Sequence, residues 1–168
     1  KRFVIVDAIL DRHLLDIGKA AAGHKLITGG SGVAMGLPQN FIDQGADILL
    51  PVGGPIYQSA VAAITDSGKD IALIGVDADL FETDPSTQDI IFTSILKGIK
   101  SATSAVVADA AAGNFSNEAY VGTLENDGVG YAPFHNFESL VSPDLAGQLE
   151  TIKAGIIDGS IPVASYLG

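Results

Sequence analysis

The chain has 168 residues, 47% hydrophobic and 17% charged, with 9 basic against 20 acidic side chains and a net charge of -11. That length fits a single domain, residues 1–168, and the apolar content suffices for a core, which excludes a disordered chain. The negative field opposes nucleic acid and anionic membranes, and the lack of cysteine excludes disulfides, thiolate chemistry and cysteine-based metal sites.

The elements follow in order. Residues 2–7 (RFVIVD) are a short β-branched run of the kind a buried parallel strand needs. No signal peptide is legible ahead of it, and no apolar run approaches the roughly 20 residues of a spanning helix. A soluble chain is expected, and its compartment is left open. Leu14, Leu15, Ile17 and Ala21 recur at helical spacing, with Asp11 as the cap and Gly23 as the stop. Residues 25–28 (KLIT) read as a second strand, followed by Gly29, Gly30, Ser31 and Gly32. A helix is expected over 33–46, which Pro38 must break unless it sits in the first turn. Residues 47–52 (DILLPV) read as the third strand, residues 57–67 as a helix and residues 71–76 as the fourth strand, ending at Asp77. Ile90 and Ile91 open a fifth strand, which runs into an alanine-rich helix over 94–112. Residues 118–124 and 129–133 read as strands, with a turn at Asp127-Gly128. Ser142-Pro143 starts a last helix, whose stripe is Leu145, Leu149, Ile152 and Ile156.

Strands alternating with helices predict a doubly wound α/β domain. The expected sheet is mostly parallel, flavodoxin-like, in the order 2-1-3-4-5, with helices on both faces. Ligands on such sheets bind beyond the carboxyl ends of the strands. That directs attention to the loops at 7–11, 28–32, 52–57 and 77–81.

The sharpest local feature is residues 28–38, TGGSGVAMGLP. A glycine-rich turn entering a helix brings backbone N–H groups close to an anion, and a tight turn that simply needs glycine has the same composition. It matches neither GxxxxGK[ST] nor GxGxxG. With these residues quoted, a resemblance becomes specific. Residues 3–40 resemble the C-terminal region of the four-carbon acid sugar kinases, which carry a VVDA strand and a TGGSGLALGLP-type loop. The resemblance implies that Gly29, Gly30, Ser31 and Gly32 line a nucleotide-phosphate site.

From residue 41 onward the chain resembles a different family. IDQGADILLPVGG, IALIGVDAD, TSILKGI, DGVGYAPFHNFESLV and ETIKAGIIDGSIPV are similar to the C-terminal lobe of the basic membrane protein family. These are nucleoside-binding periplasmic receptors of ABC importers. The resemblance implies that Gly53, Gly54, Asp77 and Lys97 face a nucleoside. On their own, Asp77 reads as a turn or helix cap and Lys97 as a solvated helix residue.

The seam between the two segments falls at Asn40–Phe41, and each segment lacks most of its family's site. The expectation is therefore an engineered chimera with no evolved catalytic function, not an enzyme, with no catalytic residue, metal or cofactor. The alternative is a module keeping weak affinity for a nucleotide, nucleoside or phosphate ion, as a monomer or weak homodimer. His13, His24 and His135 are scattered without HExxH spacing, and no GxSxG elbow is present. Asp7, Asp11, Asp77, Asp79 and Asp84 cluster at strand ends, where capping explains most of them and Asp7 is the first to test for Mg²⁺.

Overall fold

The computed structural model describes residues 31–163. The expected strands at 2–7 and 25–28, the helix between them, and Asp7, Gly29 and Gly30 lie outside the described residues.

Helix α1 (Ser31–Asp43) holds Pro38 in its interior, so the proline neither breaks it nor sits in its first turn as expected, and it runs unbroken across Asn40–Phe41. It ends on backbone geometry. Ala46 N–H donates to Phe41 O (2.9 Å) and Gly45 N–H to Ile42 O (3.1 Å), with Gly45 at φ 93°. This paired closure satisfies carbonyls that the helix end leaves open, and it needs a left-handed residue where glycine stands. Strand β1 (Ile48–Leu49) follows, then a short 3-10 turn at Gly54–Ile56 and helix α2 (Tyr57–Ser67). Strand β2 (Ala72–Asp77) leads to the four-residue helix α3 (Leu80–Thr83). Strand β3 (Ile91–Lys97) leads to helix α4 (Ile99–Ala111), and strand β4 (Val129–Tyr131) precedes helix α5 (Leu145–Ile157).

The described sheet has the order β1-β2-β3-β4. The first two pairings are parallel and the β3–β4 pairing is antiparallel. This is the α/β architecture expected, and its first three strands stand in the relative order 3-4-5 that the sequence predicts. The core lies between this sheet and helices α1 and α2. It is built from Ile42, Leu49, Ala60, Ala63, Ile64, Ile71, Leu73, Leu80 and Ile91, with Tyr57 and Phe81 packed at its margin. Helix α4 contributes no buried residue and α5 only Gly155.

Two buried hydroxyls tie the layers together. Ser94 Oγ accepts from Leu80 N–H (3.1 Å), seating α3 on the sheet, and Thr93 Oγ1 donates to Ala132 O (2.6 Å). A buried hydroxyl is costly unless bonded, and both are bonded.

Three expectations are corrected. Residues 94–97 remain in β3 instead of opening a helix, because Ser94 is fully buried and its carbonyl accepts from Ala132 N–H (2.8 Å). The helix starts only after Gly98. Residues 118–124 form no strand. The Asn126 side chain accepts from Thr123 N–H (2.8 Å) and donates to Val121 O (3.0 Å), taking backbone groups a ladder would need. The last helix opens at Leu145 rather than at Ser142-Pro143.

Gly75 sits in β2 where an added methyl would collide with Ser94 Oγ and come within 2.9 Å of Leu80 Cγ. Gly147 lies in α5 with nothing within 4 Å. Gly75→Ala is expected to destabilise the protein by about 1–3 kcal/mol through overpacking. Gly147→Ala is expected to stabilise it by about 0.5–1 kcal/mol through chain entropy and helix propensity. Urea midpoints of the two variants check both signs.

Candidate functional site

The strand pairing places two charged side chains together. Asp77 ends β2 and Lys97 ends β3, and the parallel register sets Asp77 opposite Leu96. Lys97 Nζ lies 2.6 Å from Asp77 Oδ1, with the side chains 65% and 42% exposed. That oxygen is itself shielded and receives no aligned hydrogen bond among the described residues. The ammonium therefore balances it by charge, a contact worth about 0.2–1 kcal/mol at this exposure. Asp77 adopts φ 78°, in the left-handed region. Aspartate tolerates that region better than most residues, and a non-glycine residue held there stores strain of order 1–3 kcal/mol.

The pair lines a cavity of about 870 Å³ beyond the carboxyl ends of β2 and β3. Its walls include Leu96, Ile99, Tyr131 and Ile152, so the ion pair sits on a largely apolar surface. One wall is the segment before β4. Gly98 N–H donates to Gly128 O (2.9 Å), and a side chain at Gly98 would collide with the carbonyl of Asp127. Asn126 also accepts from Gly128 N–H (3.0 Å), and this closed loop presents Asp127 to the cavity, with Lys153 Nζ 3.9 Å away.

Asp79 anchors the other side. Its Oδ1 accepts from Phe81 N–H (3.1 Å) at the start of α3, and its Oδ2 lies 2.9 Å from His135 Nε2. The His135 ring stacks on Phe81 at 4.0 Å and 6°, and His135 itself adopts φ 47°. Sequence reasoning set His135 aside as an isolated histidine. Its partner is 56 positions away, so no local spacing could have revealed the pair. Among the described residues no group of three or more His, Asp or Glu converges as a metal set.

The other expected residues lie apart from this cavity. Gly53 (φ 146°) and Gly54 (φ 51°) make the turn after β1, where a side chain would be strained. They follow the same end of the sheet but do not line the cavity that holds Asp77 and Lys97. An apolar groove of about 390 Å³ lies beside β1 instead, lined by Phe41, Ile48, Leu50, Val52 and Ile56 among others. The turn is secured by Tyr57, whose hydroxyl donates to Asp84 Oδ2 (3.0 Å). Hydrogen bonds from Ser86 and then Tyr57 hold the Asp84 carboxyl below its usual range. The bond to Asp84, aided by burial, pushes the Tyr57 phenol up. Ser31 and Gly32 form the first turn of α1.

No family model matches the chain. Curated relatives are named 3-oxo-tetronate kinase. The protein from Cupriavidus necator is 45% identical over 71 residues, 42% of this chain and 15% of that protein. The one from Burkholderia multivorans is 55% identical over 40 residues, 24% and 9% of the respective chains. The one from Pseudomonas fluorescens is 32% identical over 88 residues, 48% and 20%. The chain thus spans at most 20% of the length of these three relatives.

Similar solved structures are ABC transporter system solute-binding proteins. That from Aeropyrum pernix has TM-score 0.66 and 18% identity, covering 92% of this chain and 52% of that one. That from Conexibacter woesei has TM-score 0.60 and 17% identity, covering 80% and 42%. They establish the α/β lobe fold. Among the described residues no helix is long and apolar enough to cross a membrane.

These findings overturn the expectation of an engineered chimera without catalytic function. Both resemblances lead to natural proteins, and five curated relatives bear the name of a kinase, which also overturns the reading of the chain as a non-enzyme. A 71-residue match cannot fit within residues 1–40, so the kinase likeness extends beyond the expected seam.

The strain at Asp77 gives a direct check. Asp77→Gly is expected to unfold at no lower temperature than the parent, because glycine adopts positive φ freely. Asp77→Val is expected to be less stable by about 1–3 kcal/mol. Thermal unfolding of both variants decides it. Equal losses would show that the carboxylate, rather than the backbone, matters to stability.

Proposed function

We propose that this chain binds a small polyhydroxylated molecule of the nucleoside class in the cavity beyond β2 and β3, with its 168 residues acting as one domain. The observation that carries this reading is Asp77: a carboxylate in a strained conformation, one oxygen shielded, 2.6 Å from Lys97 on a cavity wall. A carboxylate on a cavity wall can accept from sugar hydroxyls, and strained residues cluster at ligand sites. The cavity volume falls in the usual range for small-molecule sites, roughly 300–1,000 Å³. Tyr131 and the apolar walls suit a flat base. The likeness to solute-binding proteins supports the reading through the fold.

One lobe leaves much of such a ligand in water, where tight sites enclose about 70–90% of it. Titration calorimetry with adenosine, guanosine and inosine is expected to give a dissociation constant near a millimolar for at least one, weakened about tenfold by Asp77→Ala. Heat changes indistinguishable from dilution for all three would sink the reading.

The five curated kinase relatives favour a second reading, in which Gly29, Gly30, Ser31 and Gly32 hold the phosphates of a nucleotide as part of a phosphotransferase. Ser31 opens α1, and a helix start adds partial positive charge to such a turn. ATP with Mg²⁺ is expected to raise the unfolding midpoint, and Gly30→Val to abolish the rise. Formation of a phosphorylated product from 3-oxo-tetronate would extend the reading to the reaction itself. A midpoint unmoved by ATP or ADP would refute it.

A further inference from the structure

Strand β1 is the edge of the described sheet. It pairs with β2 on one side and with nothing among the described residues on the other. Asp47 O accepts from Ala72 N–H (2.9 Å), so backbone alternation turns the Ile48 and Leu50 N–H groups away from β2, toward that free edge. The side chains alternate as well. Leu49 is buried in the core with α1 and α2, while Ile48 and Leu50 stand on the opposite face, each 46% exposed. The groove of about 390 Å³ wraps this edge, from Leu37, Pro38 and Phe41 of α1 round to Ile48, Leu50 and Val52, and no charged residue lines it. An apolar strand edge with open backbone groups is a template for another strand.

The order of elements says what can reach it. Helices α1 and α2 pack together on one face of the sheet. Crossovers between parallel strands are right-handed, so β1–α2–β2 fixes the direction of travel on that face. A parallel strand leading into α1 on the same face must then start from the side of β1 away from β2. The chain ahead of α1 offers two candidate runs, residues 2–7 and 25–28. The groove is apolar above and below the plane of the sheet, and Phe3, Val4, Ile5 and Val6 supply apolar side chains to both faces in turn. Residues 25–28 include Lys25 and Thr28, which suit an outer edge instead. Charge favours the same chain over a second copy. Residues 1–30 hold five of the nine basic residues and three of the twenty acidic ones, a net charge of +2 against -13 for residues 31–168. Two whole chains carry -11 each and repel one another.

We propose that the groove beside β1 is an intramolecular docking site, and that its occupant is residues 3–6 of the same chain, lying as a strand parallel to β1. The proposal is independent of any ligand in the cavity beyond β2 and β3. In that direction the docked segment delivers Asp7 to the carboxyl end of the sheet, the end where Gly53 and Gly54 turn.

Hydrogen exchange on the full chain reads the Ile48 and Leu50 amides, which are expected to be protected. Val4→Pro and Ile5→Pro are both made, because alternation turns one of the two N–H groups toward β1. At least one of them is expected to speed exchange at Ile48 and Leu50 by about tenfold or more. The Ala72 and Leu73 amides donate to Asp47 O and Ile90 O, and their rates are expected to change less than about twofold. Ile48 and Leu50 exchanging at unprotected rates in the parent chain, or protection untouched by either proline, would overturn the proposal. A benzophenone side chain in place of Phe3 gives an independent reading should the proline variants fail to fold. Irradiation is expected to join position 3 to residues 37–52 within one chain. Attachment elsewhere, or no attachment, would overturn the proposal. Attachment between two chains only would also overturn it and assign the groove to a second copy.

Discussion

The parallel pairing of β2 with β3 is the contact on which the rest depends. It brings Asp77 and Lys97 to one end of the sheet, within 2.6 Å. It also sets Gly75 opposite Ser94, close enough that any side chain at 75 would strike the serine hydroxyl. The same hydroxyl accepts from Leu80 N–H and fixes the start of α3, and α3 carries the loop that holds Asp79 against His135. A change at Gly75 therefore acts on packing and on the site through one chain of contacts. The left-handed turn at Asp77 follows from the same arrangement, because the chain must leave the strand and reach α3 within two residues.

What the sequence discloses follows the range of the interactions involved. Helix α2 was legible to the residue, since Tyr57–Ser67 has its own periodicity and a glycine stop. Asp77 and Lys97 were legible as candidates only through a resemblance. Read alone, Asp77 is a turn or helix cap and Lys97 a solvated helix residue. The sequence extends the helix back over the strand ending at Lys97 because Ala102 onward favours a helix, and propensity cannot see that Ser94 is buried, paired with Gly75 and bonded to Ala132 and Leu80. The region 118–124 looked like a strand because valine and tyrosine fit one. The Asn126 side chain decides otherwise by capturing backbone groups that a ladder would use. His135 was invisible because its role depends on Asp79 and Phe81, brought close only by the sheet. Local preference was readable, and contacts closing over long loops were not.

The two comparisons answer different questions. Sequence likeness to the kinases is strong and short, at most 20% of the length of the three relatives described. Structural likeness to the solute-binding proteins is broad and faint, reaching 92% of this chain at 18% identity. Both can hold of one chain, because a βα-layered sheet is a scaffold on which unrelated sites are built. Helix α1 shows how this works physically. It passes Asn40–Phe41 without a break, and its apolar Ile42 is fully buried in the same core as Leu73 and Ile91. A helix seated in that way belongs to the domain's packing, whichever relative its sequence resembles.

Charge then separates scaffold from site. Most acidic residues here are exposed and repel anions from the surface as a whole, and that needs no particular geometry. The lysines behave otherwise. Three of the four between residues 31 and 163 border one cavity, and two of those three have carboxylates facing them. An exposed ion pair contributes about 0.2–1 kcal/mol, too little to account for such placement on grounds of stability. Helix α5, which carries Lys153 and Glu150, buries only Gly155, so packing does not account for it either. What remains is what lines the cavity: the Asp77–Lys97 ion pair, two further lysines and apolar walls between them. The ligand proposed for this cavity, with hydroxyls and a flat body, would meet these groups.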